Sequence, residues 1–271
     1  MPRRSFALLG AMTTLLLAAC NSSNEIRHVQ APKGDASVSE SKEQKNKDAV
    51  RIYTELGQRY MQQGKLELAR ENLQRALEHD ANSADAHTVM AVLMEHIGHT
   101  KEAGEHYARA AELAPKSGAT NNNYGQFLCA TGRYAEAQKY FTRAMDDPFY
   151  QTPDVLYTNA GACLLNNDPH QVDQAESYFR RALEANPNNS VALYSLAKTL
   201  YAKDDFFHAR AFIQRFEALG QPNADALLLA HNIEIKMGHN DGAREYTQRL
   251  REQFPDSEQA HSLDNVDPPA R

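Results

Sequence analysis

Tryptophan is absent from this chain of 271 residues, and cysteine occurs only three times. Positive charge is not in excess. Twenty-nine Lys and Arg stand against 35 Asp and Glu, a formal net charge of −6. A chain without a basic patch is not equipped to neutralise a phosphate backbone, so nucleic acid is not an expected partner. GxSxG, HExxH, a phosphate-binding glycine loop and CxxC are all missing. No motif therefore places a nucleophile, a catalytic metal or a redox pair. No catalytic residue and no cofactor is expected, and the chain reads as a non-enzyme. The apolar stretch from Phe6 to Leu17 falls short of the ~20 residues that cross a bilayer.

That stretch has another use. Arg3 and Arg4 precede it, small residues Ala18 and Ala19 follow it, and Cys20 comes next. Such a layout is that of a secretory signal peptide covering residues 1–19. The tetrapeptide Leu17-Ala18-Ala19-Cys20 resembles the bacterial lipobox. The resemblance implies that Cys20 becomes the mature N-terminus, is diacylated on sulfur and is acylated on its amine. Asn21, where an Asp would signal inner-membrane retention, implies transfer to the outer membrane. Each buried CH2 contributes about 0.8 kcal/mol, so several acyl chains hold firmly. The expected location is the outer membrane, lipid-anchored on its periplasmic face. Residues 20–47 are polar and read as a flexible linker spanning about 30 Å, because they cannot bury enough apolar surface to fold. Residues 258–271, with Pro268 and Pro269, read as a disordered tail.

Between these ends the sequence repeats. Gly57, Ala91, Gly125, Gly161 and Ala197 recur in phase, and Ala69, Ala103, Ala137, Ala175, Ala209 and Ala243 follow in a second phase. Gly64, Gly98, Gly132 and Gly238 fall between them, and Pro115, Pro187 and Pro255 close units. The spacing is that of the 34-residue tetratricopeptide helix-turn-helix. Small residues let paired helices approach, glycines ease the turn and prolines stop the second helix. The expected fold is all-α: a right-handed superhelical array of six tetratricopeptide repeats over 48–257. The units are approximately 50–83, 84–117, 118–153, 154–189, 190–223 and 224–257.

First helices of such repeats line a concave surface, a binding architecture. By that geometry a partner-binding groove is expected from Val92, Asn122, Gln126, Leu165, Tyr194, Lys198, Tyr201, Leu228, Asn232 and Ile235. Apolar anchors interspersed with polar groups suit an amphipathic helix or extended peptide. His96, His99 and His106 cluster, but they fall at a helix end, in a turn and on a second helix. They read as solvated surface, with no metal expected. Cys129 and Cys163 lie nearly level on neighbouring first helices. They are expected either to bridge in an oxidising compartment or to remain as two buried thiols.

The stretch from Asn122 to Cys129 (Asn122, Asn123, Tyr124, Gly125, Phe127, Leu128, Cys129), with Gly161 and Cys163, resembles the type IV pilus biogenesis/stability proteins. These are secretin pilotin lipoproteins with six repeats. Lipobox, polar linker and repeats match that layout from residue 1 to about 257. Gln126 departs from it, standing where a larger aromatic is usual. The resemblance implies an outer-membrane pilotin that captures secretin subunits and promotes their localisation and multimerisation. The alternative is a lipid-anchored scaffold for cell-wall or envelope assembly.

Overall fold

A computed structural model describes residues 36–220 and 222–264. The chain divides into two units, 1–41 and 42–271, and the fold is that of the second. The signal peptide, Cys20 and residues 265–271 lie outside the described residues.

Thirteen α-helices and no strand occur among the described residues. They form six antiparallel hairpins: α1 (Ala36–Gln62) with α2 (Leu66–His79), α3 (Ala84–His96) with α4 (Thr100–Leu113), and α5 (Gly118–Ala130) with α6 (Tyr134–Met145). Then come α7 (Pro153–Asn167) with α8 (Val172–Ala185), α9 (Ser190–Ala202) with α10 (Phe206–Glu217), and α11 (Ala224–Lys236) with α12 (Asn240–Gln253). A short α13 (Glu258–Asp264) follows. This is the tetratricopeptide array that the recurring small residues imply.

Local chemistry sets the boundaries. Four odd-numbered helices, α3, α5, α9 and α11, start on side-chain caps: Ser83, Ser117, Asn189 and Asn223 accept from Ala86, Thr120, Ala192 and Ala226 backbone N–H groups. Each cap satisfies a donor the helix leaves unpaired, a contribution of about 1 kcal/mol. In every hairpin but the fourth the chain reverses through a left-handed residue. Gly64, Gly98, Gly132 and Gly238 have φ between 70° and 79°; in the fifth hairpin Asp204 takes the position at φ 58°.

Close approach fixes the pairing. A Cβ added to Gly125 would sit 2.9 Å from two Phe141 ring carbons, one on Gly161 2.8 Å from Phe179, and one on Gly57 2.6 Å from Leu73. Consecutive helices from α2 to α13 pack, and odd helices also touch: α3 on α5, α5 on α7, α7 on α9, and α9 on α11. The buried apolar residues form two clusters. One runs from Ala69 to Cys163, rich in Tyr107, Tyr124, Phe127 and Phe141. The other runs from Ala175 to Leu263 and is dominated by leucine.

Two sequence expectations need correction. Residues 36–47, read as flexible linker, belong to α1. This polar stretch carries good helix formers and extends an anchored helix upstream, with Lys47 Nζ 2.7 Å from Glu43 Oε1 one turn away. Residues 258–264, read as tail, form α13. Ser257 Oγ accepts from Ala260 N, and Ala260 and Leu263, one turn apart, are buried. Those two side chains cover the apolar face that the sixth hairpin would otherwise leave open.

Candidate functional site

The odd helices share a face, and its first part is a groove of about 670 Å³ between α1 and α3. Val50, Arg51, Thr54 and Gln58 line it from α1, His79 from the end of α2, Asp80 and Ser83 from the connection, and Asp85, Thr88 and Val89 from α3. Lys47 and Arg51 are each paired along α1, to Glu43 at 2.7 Å and Glu55 at 3.0 Å. Asp80 Oδ1 accepts from Asn82 N. Two turns beyond Thr88 on α3, Glu95 accepts from the Tyr107 hydroxyl at 2.9 Å, and burial together with that carboxylate pushes the phenol well above its usual range.

Further along, the expected groove residues divide. Val92, Gln126, Lys198 and Ile235 are exposed on odd helices. Leu165, Tyr194, Tyr201 and Leu228 are half-buried and brace the second cluster, and Asn232 is half-buried beside them. Tyr194 lies tilted against Phe216 at 5.6 Å and Tyr201 against Phe206 at 5.5 Å, so each ring is partly covered. Asn122 is a correction: it is 3% exposed, and its Oδ1 accepts from Asn159 Nδ2 at 3.2 Å. It joins α5 to α7 through that contact rather than facing the groove.

Cys129 and Cys163 are joined by a disulfide with their Cα atoms 5.7 Å apart. It links α5 to α7 beside the Asn122–Asn159 contact. Asn121, fully buried, donates to Pro115 and Ser117 carbonyls and ties the start of α5 to the preceding turn.

The three histidines do not converge. His96 is exposed at the end of α3, and His99 sits 3.4 Å from Glu102. His106 meets His87, Nδ1 to Nδ1, at 2.8 Å. His87 Nε2 lies 3.1 Å from the Ala81 carbonyl, which can only accept, so neutral His87 presents a bare Nδ1 and His106 donates to it. Burial, then the neighbouring His87, hold His106 below its ordinary pKa.

Sequence reasoning missed one row of the face. Arg51 and Asp85 line the groove, and Ala119, Val155, Val191 and Asp225 hold the same place in later units. The signal was available: each stands six positions ahead of a close-approach residue or its equivalent (Gly57, Ala91, Gly125, Gly161, Ala197 and His231).

Residues 57–98 match a family model described as a TPR repeat, and residues 168–250 match one described as anaphase-promoting complex, cyclosome, subunit 3. The type IV pilus assembly protein PilF of Pseudomonas aeruginosa is 32% identical over 217 residues, which cover 80% of this chain and 85% of that protein. A solved structure of P. aeruginosa PilF is similar at TM-score 0.76 and 30% identity, covering 82% of this chain and 99% of its own. The crystal structure of PilW, described as a widely conserved type IV pilus biogenesis factor, is similar at TM-score 0.73 and 31% identity, covering 79% of this chain and 97% of its own. Fold and relatives agree: the chain belongs to the PilF/PilW family of tetratricopeptide proteins of type IV pilus biogenesis.

Proposed function

We propose that this protein is a pilotin: an outer-membrane lipoprotein, anchored through acyl chains on Cys20, whose repeats bind secretin subunits and promote their localisation and multimerisation. The observation that carries the proposal is the likeness to PilF and PilW over about four-fifths of the chain, including nearly the full length of both solved structures. The array supplies a face lined by successive first helices, suited to a protein ligand. A scaffold fold of this kind is typically non-enzymatic, and no catalytic family is among the matches described. The mechanism has two parts. The anchor supplies the address and the repeats supply recognition, so a secretin subunit held by the repeats is concentrated where it must assemble. The disulfide between Cys129 and Cys163 keeps α5 and α7 in fixed register under that load.

Affinity capture from membranes with the lipidated chain, followed by identification of what is crosslinked to it, tests the reading. Secretin in the eluate, and loss of outer-membrane secretin multimers in a Cys20→Ala strain, are expected. Normal multimers in that strain, or recovery of cell-wall enzymes in place of secretin, would overturn it and favour an envelope scaffold.

A further inference from the structure

The row Arg51, Asp85, Ala119, Val155, Val191, Asp225 changes character along the array: charged in the first two units, apolar in the next three, charged again in the last. Val155 is 41% and Val191 59% exposed, and Ala119 is exposed as well. On the connection that leads into α7, Phe149 is 81% exposed. Leaving a Val or Phe in water forgoes about 1.5–3 kcal/mol of burial per side chain.

These side chains are displayed from ordered backbone. Asp147 Oδ2 accepts from Gly118 N at 2.7 Å, its Oδ1 accepts from Phe149 N at 2.9 Å, and Tyr150 lies against Gly118 so closely that a Cβ there would come within 2.8 Å of it. At the next junction Asp154 Oδ2 accepts from Asn186 and Asn189 side-chain amides, both at 2.9 Å, while Asn189 caps α9. Burial pushes the Asp154 carboxyl up, but those amide donors outweigh it and hold it below its ordinary value, so the clamp stays ionised. Ala119, Val155 and Val191 are therefore set beforehand, and a ligand does not have to order them.

The groove that precedes this apolar stretch carries an excess of negative charge. The groove between α1 and α3 holds Glu43, Glu55, Asp80 and Asp85 against Lys47 and Arg51. Both cations are already matched by Glu43 and Glu55, which leaves the carboxylates of Asp80 and Asp85 in excess. Among the described residues neither has a cation at ion-pair distance.

We infer that the lip formed by Phe149, Ala119, Val155 and Val191, continuous with the acidic groove at Asp80 and Asp85, docks an extended partner segment with an apolar centre and basic residues at one end. Adjacent odd helices lie about 8–10 Å apart, so Ala119 to Val191 spans about 20 Å, the reach of roughly six extended residues. Asp85 stands one unit further, which places the basic residues about three positions beyond the apolar centre. The inference rests on the pilotin reading only for the identity of the protein that carries the segment.

Fluorescence anisotropy with the folded chain and labelled twelve-residue peptides tests it. The probes have a six-residue centre of alternating leucine and serine, with three lysines or three glutamates at either end. A lysine peptide in one of the two directions should bind at least tenfold tighter than its glutamate counterpart, and weaken as salt rises. Val191→Asp and Phe149→Asp should each cost at least tenfold, and Asp85→Asn about threefold with a shallower salt dependence. Phe207→Ser, at an exposed Phe on α10, should change nothing. Equal binding of lysine and glutamate peptides, no binding of either, or wild-type affinity in Val191→Asp overturns the inference. Secretin capture is read alongside. Capture by the wild-type chain that Val191→Asp leaves unchanged sinks the lip and spares the pilotin reading. A wild-type chain that binds the lysine peptide yet captures no secretin sinks the pilotin reading alone.

Discussion

The first three hairpins and the last two solve one geometric problem with different chemistry. In α5 and α6 a glycine makes room for an aromatic ring: Phe141 lies on Gly125, and Tyr107, Tyr124 and Phe127 surround them. In α9 to α12 the buried core is mainly aliphatic, with Leu193, Leu196, Leu200, Ile213, Leu227 and Ile233. One turn differs as well: Asp204 in the fifth hairpin stands where Gly64, Gly98 and Gly132 stand in the first three and Gly238 in the sixth. So do buried polar contacts. The earlier part carries the disulfide and the asparagine pair Asn122–Asn159. The later part buries Glu234, which accepts from Arg210 Nε at 2.6 Å and meets His239 Nδ1 at 2.8 Å. A repeat thus conserves volume and backbone path rather than residue type.

Variants can press on that contrast. Phe141→Ala should cost about 4 kcal/mol, and Leu200→Ala about 3 kcal/mol, in urea unfolding. Adding Gly125→Ala to Phe141→Ala should recover part of the loss, because the new methyl enters space the ring has left. Simple additivity of the two would contradict the interlocking. Reducing the Cys129–Cys163 bond, which closes a loop of sequence separation 34, should cost about 2–4 kcal/mol. Hydrogen exchange would localise the loss to α5–α7 and spare α10–α12. The histidine pair predicts a pH effect on the early hairpins. His106 has a folded pKa below the unfolded value of about 6.5, so the unfolded chain takes up the proton first. The stabilisation is present above that value and is lost as pH falls through the folded pKa. Melting temperature should therefore drop on going from neutral to mildly acidic buffer, less steeply in His106→Gln. The smallest effect is expected at Asp204→Gly. Relief of the left-handed backbone outweighs the added chain entropy, giving a gain of about 0.5 kcal/mol.

Much of this was legible in the residues. Small side chains at the close-approach positions, glycines at reversals and terminal prolines are each demanded by a local geometry, so hairpins and turns could be placed from them. The ends were not legible, because polar composition was read as disorder. Residues 36–47 gain helical order by continuing an anchored helix, and α13 needs only Ala260 and Leu263 in phase. The groove was partly legible. Val92, Gln126, Lys198 and Ile235 emerge on the surface, whereas Asn122 turns sideways into its neighbour, since the sequence gives the helical phase but not how tightly α5 and α7 close on each other. The Val155 and Val191 row carried the same periodicity and was passed over for positions deeper in the repeat.

The docking of α13 has a consequence of its own. A solenoid with a bare apolar end is sticky toward another copy of itself and can grow by stacking end to end. With Ala260 and Leu263 tucked against the sixth hairpin, that end is plugged, and growth by stacking on that side is blocked. The number of units available to a ligand is thereby set by the chain and not by its concentration, which makes the array a ruler of fixed length.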